Sequence, residues 1–323
     1  MRTEEWLQQP DRFVPAWRGE WEPDPRMLDF EEKWKAFHTP GGRLMVCAHR
    51  GDRNELYPEN SLEGFYSAIL AGADILEADI HTAKDGTLIL LHDDTLTRTT
   101  NVAQLRSAGA EGLPPTDAVS DWSAEQLRRL RLTLPDGRVT ACAVPTLEQL
   151  LLLAKGRAFV TLDKAHAFSF EQGVLPLLER HGAYRTVLIP YEYKFDRVAL
   201  LQREIRLRCG HSAPYFAKAI RGKGVMDGER IGQAVSFLRE QELAPVLRGG
   251  EFVPEEQEEL APVIAPLRGN HRIYAETLRA PHDNAAHWAQ MAALGYNIMM
   301  GNHNYDLIRF AKAYNYERSF AQG

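Results

Sequence analysis

Val46-Cys47-Ala48-His49-Arg50-Gly51, then Tyr57-Pro58-Glu59-Asn60-Ser61, then Ile75-Leu76-Glu77-Ala78-Asp79-Ile80, then Lys84-Asp85-Gly86-Thr87-Leu88-Ile89-Leu90-Leu91-His92-Asp93 follow one another between Val46 and Asn101. Polar residues in this stretch fall at the ends of short apolar runs. Successive side chains of a strand point to opposite faces, so Glu77 and Asp79 project to the same side. Two like charges held that close repel unless a cation lies between them. Asp85-Gly86 is a strong two-residue hairpin signal. With the turn there, Thr87 pairs with Lys84 and His92 with Asp79. With the turn one residue earlier, at Lys84-Asp85, His92 faces Glu77. Either register brings an imidazole beside the carboxylates.

Working outward, short apolar runs alternate with amphipathic ones from Leu44 onward. Strands are expected at 44–48, 75–79, 158–163, 186–190, 205–210, 244–248, 271–275 and 296–300. Helical patterns fill the gaps at 61–71, 146–155, 169–181, 196–204, 228–242, 254–267, 282–294 and 305–314. Eight strands each followed by a helix describe an α/β chain folded as a TIM (β/α)8 barrel, with a doubly wound open sheet as the alternative. Residues 1–43 carry Trp6, Trp17, Trp21 and Trp34, several prolines and a helix from Asp29 to Phe37. They read as an N-terminal extension packed on a barrel spanning 44–323. Residues 97–144 show no strong strand signal and include Pro114-Pro115. They form a small insertion after the second-strand hairpin, at the catalytic end, where insertions shape substrate access.

The chain of 323 residues has 38 Lys+Arg against 44 Asp+Glu, a formal net charge of -6. A mildly acidic protein is a poor general partner for nucleic acid or an anionic membrane. Cys47, Cys142 and Cys209 are scattered and odd in number, without disulfide or zinc spacing. No apolar run is long enough for stable membrane insertion or a signal peptide, and the expected location is cytoplasmic. Oligomeric state is not legible in the sequence.

In a barrel the reacting groups come from the carboxyl ends of strands. His49-Arg50 ends the first, Glu77 and Asp79 the second, and Asp163-Lys164 the one at 158–163. Three carboxylates at one rim suit a hard divalent cation, Mg²⁺ or Ca²⁺, more than zinc. Arg50 and Lys164 suit a bound anion because neither readily loses its proton. His49 and His92 have the right intrinsic pKa for general acid–base work, and the sequence does not decide which begins as the base. His81, His166, His211, His271, His282 and His287 read as structural.

The order and spacing of His49-Arg50-Gly51, Pro58-Glu59-Asn60-Ser61, Gly72-Ala73-Asp74, Glu77-x-Asp79, Lys84-Asp85-Gly86, His92-Asp93 and Leu96-x-Arg98-Thr99-Thr100 resemble the glycerophosphodiester phosphodiesterase family. The similarity thins through Pro145-Thr146-Leu147 and Leu162-Asp163-Lys164 to Leu294-Gly295-Tyr296. The resemblance implies a TIM barrel with a small insertion. It implies a divalent metal on Glu77, Asp79 and Asp163, and paired histidines at His49 and His92. It also implies that the substrate's own hydroxyl attacks, so that a glycerophosphodiester passes through a cyclic phosphate to glycerol 3-phosphate and an alcohol. Asp163-Lys164 stands where the family often shows Glu-x-Lys, a choice of Asp shared with sphingomyelinase D relatives. Met300-Gly301-Asn302-His303-Asn304 stands where Thr-Asp-x-Pro is usual. Glu59, Asn60, Asn302 and His303 are therefore read as supporting or substrate-facing residues. The rival readings are an enzyme of another phosphodiester (a sugar-phosphate diester or lysophospholipid), a phosphodiester transferase or synthase, and an inactive phosphate-binding barrel.

Overall fold

A computed structural model of the chain describes residues 29–165, 169–221, 225–279 and 281–321. Trp6, Trp17, Trp21 and His166 lie outside the described residues. The chain enters through α1 (Phe30–His38), capped by Asp29, and begins the sheet with β1 (Met45–His49). Then come α2 (Leu62–Ala71), β2 (Ile75–Thr82) and β3 (Leu88–Leu90). Ser61 caps α2 by accepting from the Gly64 amide. The insertion holds α3 (Val102–Ser107), α4 (Ala124–Leu127) and a hairpin of β4 (Arg131–Thr133) and β5 (Val139–Ala143). After α5 (Leu147–Ala154) and β6 (Phe159–Asp163), a π-helical turn at Phe170–Val174 leads into α6 (Leu175–His181). The remainder is α7 (Phe195–Cys209), β7 (Ala217–Lys218), the small hairpin β8 (Ile220–Arg221) and β9 (Val225–Met226), and α8 (Gly228–Glu240). It ends with β10 (Val246–Glu251), α9 (Gln257–Ile264), β11 (Arg272–Thr277), α10 (Ala285–Leu294), β12 (Ile298–Gly301) and α11 (Asn304–Ala321).

The parallel ladder runs β6-β2-β1-β12-β11-β10-β7. The two ends meet through residues 187–189, which bridge Val187 to Val160 on one side and Ile189 to Tyr215 on the other. Eight staves therefore close a ring, each followed by a helix: a (β/α)8 barrel. Leu76, Ala78 and Ile80 pack outward with the helices. Met45, Cys47, Ile75, Phe159, Leu188, Phe216, Val246, Tyr274, Ile298 and Met300 fill the lumen. Phe30 and Phe37 of α1 join that inner cluster, with Phe37 4.9 Å from Phe159 and 5.9 Å from Phe216 between ring centroids. The helix thus plugs the amino end of the barrel.

Two expectations are corrected. The stretch 205–210 is not a strand but the end of α7; the fifth stave lies further on, at 215–218. Ile205-Arg206-Leu207-Arg208 alternates as a strand would, yet the buried residues Val198, Leu201, Gln202 and Ile205 keep the helical spacing and Leu207 is exposed. The hairpin takes neither anticipated register. Thr82 pairs with Leu88 and Ile80 with Leu90, so Lys84-Asp85-Gly86 forms a three-residue loop. Gly86, at φ 83°, supplies the left-handed residue such a loop needs. The insertion also contains the β4–β5 ladder, too short to stand out in the sequence, around Trp122 and Leu132. No helix among the described residues is long and apolar enough to cross a membrane.

Arg272 fastens the plug. Fully buried, it donates through Nη1 to the carbonyls of Ala36 and Thr39 and through Nη2 to those of Arg43 and Asn297. Replacing it by Met removes all four of these charge-assisted hydrogen bonds at once. Arg272→Met is expected to lower the free energy of unfolding by about 3 kcal/mol in a urea titration. A loss below about 1 kcal/mol would mean that α1 is not anchored this way.

Candidate active site

The carboxyl ends of β1, β2 and β6 put the expected residues on one side of the barrel mouth. Glu77 lies in register with His49 across β1–β2, and Asp79 with Asp163 across β2–β6. Carboxylate oxygens of Glu77, Asp79 and Asp163 all come within 4.8 Å of one another. Glu77 and Asp79 are buried, whereas Asp163 is exposed. Burial, then the charges of Asp79 and Asp163, push the Glu77 carboxyl well above the usual range. Burial also raises Asp79, with Asp163 adding to it, against the opposing pull of Arg50 and Asn60. An all-oxygen set of three acids at this separation fits a hard divalent cation.

Backbone strain is concentrated around these acids. Of the four non-glycine residues with left-handed φ among the described residues, Arg50, Asn60 and Lys164 sit here. At φ 56°, Arg50 turns its amide onto Glu77 Oε2 at 3.0 Å. Its guanidinium lies between Asp79 (Nε to Oδ2, 3.2 Å) and Glu59 (Nη1 to Oε1, 3.2 Å). Asn60 clasps Asp79, donating Nδ2 to Oδ2 at 2.8 Å and accepting the Asp79 amide at 3.1 Å. Arg98 bridges Glu59 and Asp93 with its full fork. Burial opposes ionisation of Glu59, but Arg98, Arg50 and Arg53 together hold its carboxyl below the ordinary value.

The two histidines differ in their partners. His49 is buried, its Nδ1 is 2.7 Å from Asn302 Oδ1, and its Nε2 lies 3.9 Å from Glu77 Oε2. Asn302 donates Nδ2 to the Leu278 carbonyl, which turns its Oδ1 toward His49. The imidazole therefore carries its proton on Nδ1 and a lone pair on Nε2. Burial, then the charges of Arg50 and Arg53, lower the His49 pKa to about 3. His92 is half exposed and hydrogen-bonds through Nδ1 to Asp93 Oδ1 at 2.6 Å. Asp93 is kept ionised by its bonds to Arg98 and His92.

Lys164 donates Nζ to the His92 carbonyl and lies 3.4 Å from His81 Nε2. His81, read as structural from the sequence, is thus part of this side of the mouth, with Nε2 3.2 Å from the same carbonyl. His303 has an exposed side chain, and its amide donates to Asp283 Oδ2 at 2.7 Å. Three further residues escaped the sequence reading. Asn304 joins the amide of His49 and the carbonyls of His49 and Gly51. Asp283 accepts the Asn302 and His303 amides, the Thr277 hydroxyl and the Trp288 indole. Arg98 stood inside a quoted motif without a role. The departure Gly301 has a local reason: a Cβ at Gly301 would overlap the Asp283 carboxylate. No spacing rule connects Asp283 or Asn304 to residues near position 50, which only ring closure brings near.

Residues 49–174 match the family model described as the glycerophosphoryl diester phosphodiesterase family. A glycerophosphodiester phosphodiesterase of Caldanaerobacter subterraneus subsp. tengcongensis is 34% identical over 119 residues, 36% of this chain and 43% of the relative. The chain thus spans about two-fifths of the length of the curated relatives it matches first. In three dimensions it is similar to a glycerophosphoryl diester phosphodiesterase from Parabacteroides distasonis, with TM-score 0.67 and 21% identity, covering 89% of this chain and 93% of the other. It is also similar to an Oleispira antarctica phosphodiesterase solved with sn-glycerol-3-phosphate, with TM-score 0.57 and 15% identity, covering 84% and 97%. At such identities these two show a shared barrel fold. Residues 49–174 thus carry the likeness to the glycerophosphoryl diester phosphodiesterase family, and the rest of the chain shares its barrel.

Proposed function

We propose that the protein is a metal-dependent hydrolase of glycerophosphodiesters, releasing glycerol 3-phosphate and an alcohol. The convergence of Glu77, Asp79 and Asp163 beside His49 carries this reading. The family match and the glycerol 3-phosphate held by the Oleispira relative supply the substrate class. Mg²⁺ or Ca²⁺ on the three carboxylates would neutralise the phosphate's charge as a Lewis acid.

The chain's own groups divide the remaining work. His49, with a lone pair on Nε2, is the base that takes the proton from the glycerol hydroxyl next to the phosphate ester. His92, oriented by Asp93 through Nδ1, gives a proton to the departing alkoxide. The hydroxyl oxygen bonds to phosphorus as the phosphorus–alkoxide bond breaks, leaving a cyclic phosphate. Water then opens the ring, with the two histidines exchanging roles. Arg50 and Lys164 surround the phosphate with positive charge, Arg50 while still paired to Asp79 and Glu59. Asn302 holds the His49 tautomer, Asn60 and Glu59 hold Asp79 and Arg50, and His303 lies at the rim toward the substrate. The 97–144 insertion, joined to the site through Arg98, shapes access from its side.

Purified protein supplied with Mg²⁺ or Ca²⁺ is expected to convert glycerophosphodiesters to glycerol 3-phosphate in a coupled assay, and an EDTA-treated sample is not. His49→Ala and His92→Ala should each reduce kcat roughly 10²-fold or more while the fold survives. Near-normal turnover in both would remove them from the chemistry. Because burial and neighbouring acids raise the Glu77 and Asp79 carboxyls above their ordinary range, a cation that takes both as ligands competes with protons. Affinity should therefore rise with pH across the acidic range. Calorimetry in buffers of different ionisation enthalpy should show proton release, and heats independent of buffer would contradict it.

A further inference from the structure

Across the lumen from the three acids stands a second charged cluster that the reaction above does not use. Ring order places β10 and β11 diametrically opposite β2 and β6. Arg248 of β10 is 8% exposed, and its guanidinium lies between two aromatic rings: 4.2 Å from the centroid of Tyr191 and 4.3 Å from that of Tyr274. Its Nη2 donates to Glu276 Oε2 at 3.0 Å, and the Tyr274 hydroxyl donates to the same oxygen at 3.1 Å. Two features remain unmatched among the described residues. Glu276 Oε1 makes no hydrogen bond, and Arg248 Nε is a buried donor without one. Tyr191 follows the 187–189 stave at its carboxyl end, and the Glu276 side chain is 16% exposed, so the cluster reaches toward the mouth.

Resting on the proposed phosphodiesterase activity, we infer that Arg248 and Glu276 select the alcohol that leaves, favouring an uncharged, hydroxyl-bearing group over a quaternary ammonium. The argument is one of occupancy. Facing aromatic rings beside a carboxylate make a cage for an organic cation. Here the protein's own guanidinium fills that cage, and Glu276 neutralises it. A trimethylammonium group meets a like charge where its partners would otherwise be. A polyol can donate a hydroxyl to Glu276 Oε1, on the side chain of the pair that is partly exposed. A site built from paired polar groups discriminates strongly against a ligand that leaves them unpaired.

The test compares glycerophosphoinositol with glycerophosphocholine, scored as kcat/KM in the metal-supplied enzyme. Kd is measured in parallel by calorimetry in a His49→Ala background. Wild type should favour the inositol diester by about 10-fold or more. Arg248→Met empties the cage between Tyr191 and Tyr274 while keeping Glu276. It should move both ratios toward the choline diester by about 10-fold or more. Glu276→Gln should weaken the inositol diester without improving the choline one. Circular dichroism checks folding, and Arg248→Gln replaces the Met variant if that one fails to fold. Ratios in the Arg248 variant within about two-fold of wild type, or a wild type that prefers choline, would overturn the inference. If wild type cleaves neither diester, the hydrolase reading fails, and the Kd ratios still decide the role of Arg248.

Discussion

Three carboxylates whose oxygens gather within 4.8 Å repel one another, and the rest of the barrel mouth is arranged around that repulsion. At an effective dielectric near 20, each such pair costs roughly 3 kcal/mol, more than one ordinary hydrogen bond returns. Arg50 offsets one charge, yet it also serves Glu59. Against three acids this leaves about two negative charges to be balanced, the charge of a divalent ion. Without the ion, burial and this repulsion push the Glu77 and Asp79 carboxyls above their ordinary range. The same groups that make the site unfavourable when empty are the ones a hard cation prefers.

Holding acids in that position requires a stiff frame, and the frame comes from distant parts of the chain. Asn60 grips Asp79 at both its side chain and its amide. Asn304 ties the last helix to the turn after β1. Asp283 collects the amides of Asn302 and His303, and Asn302 in turn orients His49. Arg50, Asn60 and Lys164 sit in left-handed backbone conformations, a local strain that the surrounding bonds overcome. At the opposite end, α1 closes the lumen with phenylalanines and Arg272. The barrel is thus sealed below and charged above.

Much of this was legible in the residues themselves. Alternation along β2 was enough to put Glu77 and Asp79 on one face, and the apolar runs located seven of the eight staves. The fifth was missed because alternation in Ile205–Cys209 mimics a strand inside a helix, and only burial distinguishes the two. The hairpin register was wrong by half a step, since Asp85-Gly86 serves a three-residue loop as readily as a two-residue one. The polar braces were invisible for another reason. Asn304 lies more than two hundred residues from the carbonyls of His49 and Gly51 that it holds, Asp283 bears on His49 only through Asn302, and no periodicity encodes a contact made only by ring closure. His81 was set aside because a single histidine carries no pattern, although its neighbours His92 and Lys164 give it a place.

The claim on which everything else rests is that one cation joins the ends of β2 and β6. A crystal of the protein grown with Mn²⁺ and measured at the manganese absorption edge tests it most directly. The account requires a single anomalous peak bonded to oxygens of Glu77, Asp79 and Asp163 at about 2.1–2.3 Å. A map without that peak, or with Asp163 turned out to solvent and the ion elsewhere, would contradict it.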